Sequence, residues 1–334
     1  MSFFFKDFTI CQNLIYTHIT VQNVKLFNKI ILSLVIVSSI YAIFLIVSDL
    51  AIVYTSLINF KLEFLPVIFI LISISWFVLF LQWHLLLKNS GIFIPIRTSF
   101  SIYVSSFALG LIPGKMGDFI KAKILKDKFS VPISQTSGII ISEWFYTAIG
   151  LITLSMIGIF VFELGAYIGI VFGLLLVMLF ALTKSDKLLD KIVRFSSKIK
   201  FASNFAKSLS DSFETVKNST KAKIGVQASC LSITYWLIEA CTVYLIMTAL
   251  NVPEIKILEI IPMYSSAIIL GFISFLPLGM GVVEGSFSGF LNYYGLNLSI
   301  AITTVIIIRL FTRFYPVLIG FIALKKNMSS IIEN

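Results

Sequence analysis

Six runs of predominantly apolar residues constrain this chain more than any other feature, because each approaches the ~20 residues an α-helix needs to cross a bilayer. They lie at 30–48, 65–87, 136–162, 166–183, 226–250 and 300–323. Runs of this length are too long for barrel strands and suit helices, which satisfy their own backbone hydrogen bonds in lipid. Charged residues make up only 13% of the chain and hydrophobic residues 58%, whereas a soluble domain is about 25% charged. The chain reads as an all-α polytopic membrane protein. The first run is of span length and lacks a small-residue cleavage site, so it reads as a retained helix rather than a signal peptide.

Two apolar stretches do not fit the bilayer length. The first, 99–112 (SFSIYVSSFALGLI), is too short and ends at Pro113-Gly114. The second, 260–296, is interrupted by Pro277, Gly279 and Gly281. Both breaks carry Pro-x-x-Met-Gly: Pro113, Met116 and Gly117, then Pro277, Met280 and Gly281. Orientation is set by the basic residues. The loop 184–225, with ten of them, the segment with Lys115, Lys121, Lys123, Lys126 and Lys128, and both termini are placed in the cytoplasm. The loops at 49–64, 163–165 and 251–257 are poor in them and face outside. On that assignment, 99–112 must enter and return from the inside, and 260–298 from the outside.

The expected architecture is therefore about six full spans plus two oppositely oriented re-entrant broken helices, an inverted repeat of the kind transporters use. Thirty residues after Pro113 comes Glu143, and thirty-two after Pro277 comes Arg309, each a charge within a span. Residues 1–29 form a cytoplasmic or interfacial segment, 30–325 a single membrane domain and 326–334 a cytoplasmic tail. Within the loop 184–225, apolar residues recur at helical spacing from Leu188 to Val216 opposite a basic face. That pattern suits a helix lying on an anionic inner leaflet, or a helical hairpin packed on itself.

The net charge of +10 is accounted for by the positive-inside bias, and no nucleic-acid partner is needed. Cys11, Cys230 and Cys241 form no CxxC, and His18 and His84 are far apart, so no metal centre is expected. The chain lacks a phosphate-binding lysine loop, a paired-aspartate motif and GxSxG. No cofactor is expected, and the chain reads as a non-enzyme.

The breaks themselves are candidate sites, because irregular backbone at membrane depth is tolerated only inside protein or beside a water-filled cavity. Gly114, Gly117 and Gly281 allow the turns. A half-helix starting there points its partial positive charge inward and attracts an anion. Lys115 adds a second positive feature, or is an ordinary snorkelling lysine. Arg309 and Arg313, four apart on one face, either hold an anionic head group or form structural ion pairs with Glu143, Glu239 or Glu284. Those glutamates and Asp118 serve in charge pairing or proton relay, and Asp118 can also cap a helix.

Four segments, taken in order, resemble a known family: SSFALGLIPGKMGDFIKAKILKDK, ISEWFYTAIGL, LPLGMGVVEGSFSGFLNYYGL and IIIRLFTRFYPVLIG. It is the flippase-like family found as the membrane half of lysyl-phosphatidylglycerol synthase and fused to some polyprenol glycosyltransferases. The resemblance covers about 70–325. It implies a lipid-translocating domain whose head-group cavity is built from Lys115, Asp118, Glu143, Glu284 and Arg309. The family's acidic helix usually reads Glu-Arg-x-x-Asp, whereas here Trp144 and Thr147 replace the arginine and aspartate.

Taken together, these readings predict a protein of the cytoplasmic membrane that flips or scrambles an anionic lipid, a phospholipid or a polyprenyl phosphate. Two rivals stand beside it. One is a scaffold for a separate envelope lipid or glycan transferase, docked through the basic loop. The other is an intramembrane enzyme using Asp118, Glu143 and Glu284 as acid–base groups. Oligomerisation is compatible with all three.

Overall fold

A computed structural model describes residues 50–184, 215–216, 222–252 and 255–332. The expected span at 30–48, the N-terminal segment and most of the loop 184–225 lie outside the described residues.

The described chain is helical. Helix α1 (Leu50–Ile58) leads into α2 (Leu65–Asn89), which starts with Pro66 in its first turn, where the missing N–H costs nothing, and ends before Gly91 at φ 77°. Next come α3 (Ile96–Ser105), a 3₁₀ turn Ser106–Leu109, a second 3₁₀ segment Pro113–Phe119, and α4 (Ile120–Phe129). Helices α5 (Ile133–Met156) and α6 (Glu163–Lys184) come after them. The second part contains α7 (Ala222–Ala249), α8 (Ile257–Ile273), a one-turn 3₁₀ segment Pro277–Gly279 and α9 (Val282–Tyr293). It closes with α10 (Leu298–Arg309), a π-helical turn Leu310–Phe314 and α11 (Tyr315–Ile332).

Among the described residues, four helical stretches are long and apolar enough to cross a bilayer: Leu62–Asn89, Ile133–Val161, Lys223–Ala249 and Leu298–Asn327. They coincide with the expected spans at 65–87, 136–162, 226–250 and 300–323. The expected span at 166–183 falls within α6. Large apolar side chains face outward, including Ile70, Ile74 and Phe77 on α2 and Val171, Leu174 and Val177 on α6. An apolar exterior on this scale suits lipid rather than water. The chain is a multi-pass membrane protein.

Lipid gives little hydrophobic drive for helices to associate, so packing and interhelical hydrogen bonds hold the bundle. Helix α7 lies against α2 and α5. Gly150 permits the approach of α5 to α7, where an added Cβ would lie 2.4 Å from the Ser232 hydroxyl. The indole N–H of Trp236 donates to the Thr147 carbonyl at 3.1 Å, and the Gln82 amide donates to the Ala228 carbonyl at 3.0 Å. One core joins the N-terminal half of α2 to α7, α8, α9 and α10, through residues such as Ile72, Val243, Tyr264 and Val305. Another joins its C-terminal half to α3, α4 and α5, through Phe80, Trp83, Ile102, Leu125 and Ile140. A small third cluster, Leu111, Met280 and Val317 with Leu278 and Phe314, brings the two breaks together beside the last helix.

Both breaks are built on unusual backbone. At the first, Lys115 has φ 57° and the 3₁₀ segment folds back on the turn before it. A Cβ on Gly117 would lie 1.9 Å from the Leu109 carbonyl oxygen, so only glycine fits there. At the second, Phe275, Leu278, Gly279 and Gly281 all have positive φ. Both Phe275 and Leu278 lack glycine's freedom in that region; Leu278 packs into the small third cluster, whereas Phe275 is exposed.

Candidate functional site

The two breaks and the helices around them enclose a cavity of about 310 Å³. Lys115, Gly117, Asp118, Lys121, Glu143, Arg309 and Arg313 reach its wall. Glu239 and Glu284 stand behind the arginines and do not line the wall, while Gly114 and Gly281 lie in the breaks. Buried charged groups are expensive unless paired, and the pairing explains how the chain carries them.

Arg309 is 1% exposed and is fixed from two sides. Its Nε donates to Glu284 Oε1 at 2.7 Å, and one terminal nitrogen donates to the carbonyl of Leu278 in the second break. The other terminal nitrogen, Nη1, is buried without a hydrogen-bond partner. Glu284 also accepts the Gly281 N–H through Oε2 at 2.7 Å. The carboxylate therefore caps α9 and balances Arg309 together. This changes the expectation for the half-helix: the N–H of its N-cap residue, Gly281, is already taken by a resident carboxylate.

Arg313 sits within the π-helical turn, which inserts an extra residue into the helix and re-aims the side chains around it. Its guanidinium lies 3.3 Å from Glu239 Oε2 and donates to the Tyr264 hydroxyl at 3.1 Å. Tyr264 in turn donates to Glu239 at 3.2 Å, and Ser75 donates to the other carboxylate oxygen at 3.1 Å. Glu239 is thus held by three elements. Arg313 remains 17% exposed on its side chain and stacks toward Trp236, 5.8 Å from the ring centroid.

The first half uses the opposite polarity. Lys121, 1% exposed, donates to Glu143 at 2.7 Å. Its ammonium also sits 4.4 Å from the Trp83 ring and 5.1 Å from that of Tyr103, so aromatic faces supply part of what water would. Asp118 makes no helix cap and accepts the Trp144 indole N–H at 2.7 Å. The tryptophan that replaces the family's usual arginine therefore still satisfies a carboxylate, with a neutral donor. Thr147 donates to the Glu143 carbonyl within its own helix. Lys115 is exposed, and its ammonium lies 4.5 Å from the Phe272 ring of α8, so it reaches from one break to the helix preceding the other.

Sequence reasoning missed Lys121. Charge counting groups it with the cytoplasmic lysines, yet it and Lys115 turn toward the cavity while Lys123 and Lys126 stay exposed on α4. The available signal was register: Lys121 comes eight residues after Pro113, as Glu284 comes seven after Pro277. The aromatic wall of Tyr103, Trp144, Tyr235 and Trp236 was also not foreseen. Among the described residues, no cluster of His, Cys, Asp and Glu could hold a metal ion.

The chain is 27% identical over 218 residues to a UPF0104 membrane protein of Methanocaldococcus jannaschii, covering 64% of this chain and 91% of that protein. A UPF0104 membrane protein of Methanothermobacter thermautotrophicus is 31% identical over 103 residues, 31% of this chain and 30% of that protein. Residues 30–320 match the family described as the lysylphosphatidylglycerol synthase TM region, a stretch that contains both breaks and every charged residue of the cavity, and the chain belongs to that family.

Proposed function

We infer that this protein translocates an anionic lipid, holding the phosphate of the head group in the cavity while the acyl or prenyl chains remain in the bilayer. The observation that carries this reading is Arg309. It is a buried guanidinium at the cavity wall with one terminal nitrogen left unpartnered, in a position where an unsatisfied donor is costly. On this reading a phosphate oxygen reaches that buried nitrogen as the halves move and supplies the missing acceptor, and arginine's planar fork suits it.

The inverted repeat gains support from the pairing. Lys121 and Glu143 stand eight and thirty residues after Pro113; Glu284 and Arg309 stand seven and thirty-two after Pro277. In each half the helix after the break pairs with the span beyond it, with the signs exchanged. On this reading the two breaks enter the membrane as re-entrant elements from opposite faces, and rocking of the halves exposes the cavity to each side in turn. Lys115 against Phe272 bridges them. Both termini are assigned to the cytoplasm. The protein performs no covalent chemistry, and any modified lipid comes from a separate enzyme.

The test is translocation of labelled phosphatidylglycerol and of a labelled polyprenyl phosphate in proteoliposomes. Wild-type protein should move at least one of them. Lys115→Ala, at an exposed position, should slow movement several-fold without loss of folded protein, and Arg309→Ala should abolish it. Folded protein that moves neither lipid, or movement indifferent to both substitutions, would refute the reading and favour a scaffold.

A further inference from the structure

The charge arrangement of the cavity says more about its ligand than that it is anionic. Four basic side chains reach the wall, Lys115, Lys121, Arg309 and Arg313, against two carboxylates, Asp118 and Glu143. The other two carboxylates, Glu239 and Glu284, lie behind their arginines, so each pair presents its positive end to the cavity. Pairs oriented this way act as fixed dipoles that favour negative charge and oppose added positive charge.

The two carboxylates that do face the cavity are not vacant cation sites. Glu143 already has Lys121 at 2.7 Å, and Asp118 already accepts from Trp144 at 2.7 Å. Yet an ionised carboxylate has about four acceptor positions, so each retains capacity for neutral donors. Trp144 and Tyr103 flank them with aromatic surface. Carboxylates already attended by Lys121 and by the Trp144 indole suit neutral hydroxyl donors better than an added ammonium, which would also meet the net positive charge of the wall. The volume of about 310 Å³ is at the small end for ligand pockets and fits one head group. Exposed Phe275 and Leu276 at its rim leave a path for chains into lipid.

We propose that the cavity selects a phosphate-linked head group whose remaining polar groups are uncharged hydroxyls, and rejects one that carries an ammonium. The proposal rests on the translocation reading above and narrows it. The phosphate binds at Arg309 and Arg313 from the second half. The hydroxyls donate to Asp118 and Glu143 in the first.

Proteoliposomes carrying trace labelled phosphatidylglycerol, phosphatidylinositol or lysyl-phosphatidylglycerol separate the two claims. The first and third differ only by the lysyl ester, which adds positive charge. Phosphatidylglycerol and phosphatidylinositol should both move, and lysyl-phosphatidylglycerol should move at least about tenfold more slowly. Lys115→Glu changes the wall from four basic and two acidic groups to three of each, and should bring the lysylated lipid's rate several-fold closer to that of phosphatidylglycerol. Asp118→Asn should widen the gap. A purely structural role for either residue would change all three rates in proportion. Equal rates for the lysylated and unmodified lipids, sensitive to Arg309→Ala, would overturn the selectivity while leaving translocation intact. Proportional losses in both variants would also overturn it. No movement of any lipid by folded protein would overturn both.

Discussion

Removing the charge of Glu284 tests the central electrostatic argument of this fold. Glu284 and Arg309 are each 1% exposed, with Nε and Oε1 2.7 Å apart. Truncating one member of a buried pair leaves the other uncompensated, typically at about 3–5 kcal/mol. Unfolded helices in a micelle still find water and other partners, which favours the lower end of that range. Glu284 also caps α9 through the Gly281 N–H, a contribution of about 1 kcal/mol. Glu284→Gln retains a capping oxygen and loses only the charge, so its expected cost is ~3 kcal/mol. Glu284→Ala loses both, at ~4 kcal/mol. The double variant Arg309→Met with Glu284→Leu removes both buried charges together. It should recover to within ~2 kcal/mol of wild type, the remainder being the lost cap and the Leu278 carbonyl left without its donor. Equilibrium unfolding in mixed detergent–SDS micelles reads these differences. The reasoning is refuted if Glu284→Gln matches wild type, or if the double variant is as unstable as Glu284→Ala.

Three further outcomes are expected. Gly117→Ala should prevent a folded, monodisperse product, because its Cβ would meet the Leu109 backbone at 1.9 Å; Gly289→Ala in α9, with nothing within 4 Å, should be neutral or stabilising by up to ~1 kcal/mol in the same size-exclusion and unfolding assays. Trp144→Phe removes the indole donor from Asp118 and should destabilise by ~1.5–3 kcal/mol, whereas Trp144→Arg, which restores a charged donor, should not; unfolding midpoints decide between them. Asn327→Ala removes the amide that donates to Ser101 and Ser105 and accepts from Lys128. It should loosen the last helix from α3 and α4, read as faster amide exchange there with α7 unchanged.

The fold class was legible in the run lengths, because a bilayer fixes how many apolar residues a helix must have. The positions of the breaks were legible too, since Pro113 and Pro277 with the glycines after them cannot continue a regular helix. The partner of each charge was not. Lys121 and Glu143 are 22 residues apart, Glu284 and Arg309 are 25, and Glu239 finds Arg313 from a different helix altogether. Nothing in local sequence ranks those combinations, because a charge in lipid is stabilised by whichever opposite charge the packing delivers. The spacing of Arg309 and Arg313 suggested one shared face, but the π-helical turn that carries Arg313 separates their partners. Trp144 stands where the family usually has an arginine, and only the fold brings its indole to Asp118.

By itself, then, the sequence determined that this chain lives in a membrane as helices, where two of those helices must break, and that unusual charges accompany the breaks. These are consequences of length, hydropathy and backbone chemistry, which act over short stretches of chain. Only the tertiary structure decided that the breaks meet, that Glu239 and Glu284 stand behind their arginines while Asp118 and Glu143 face the cavity, and that one nitrogen of Arg309 remains unpartnered. Burial and pairing are properties of surfaces brought together from distant parts of the chain, and packing alone determines which surfaces those are.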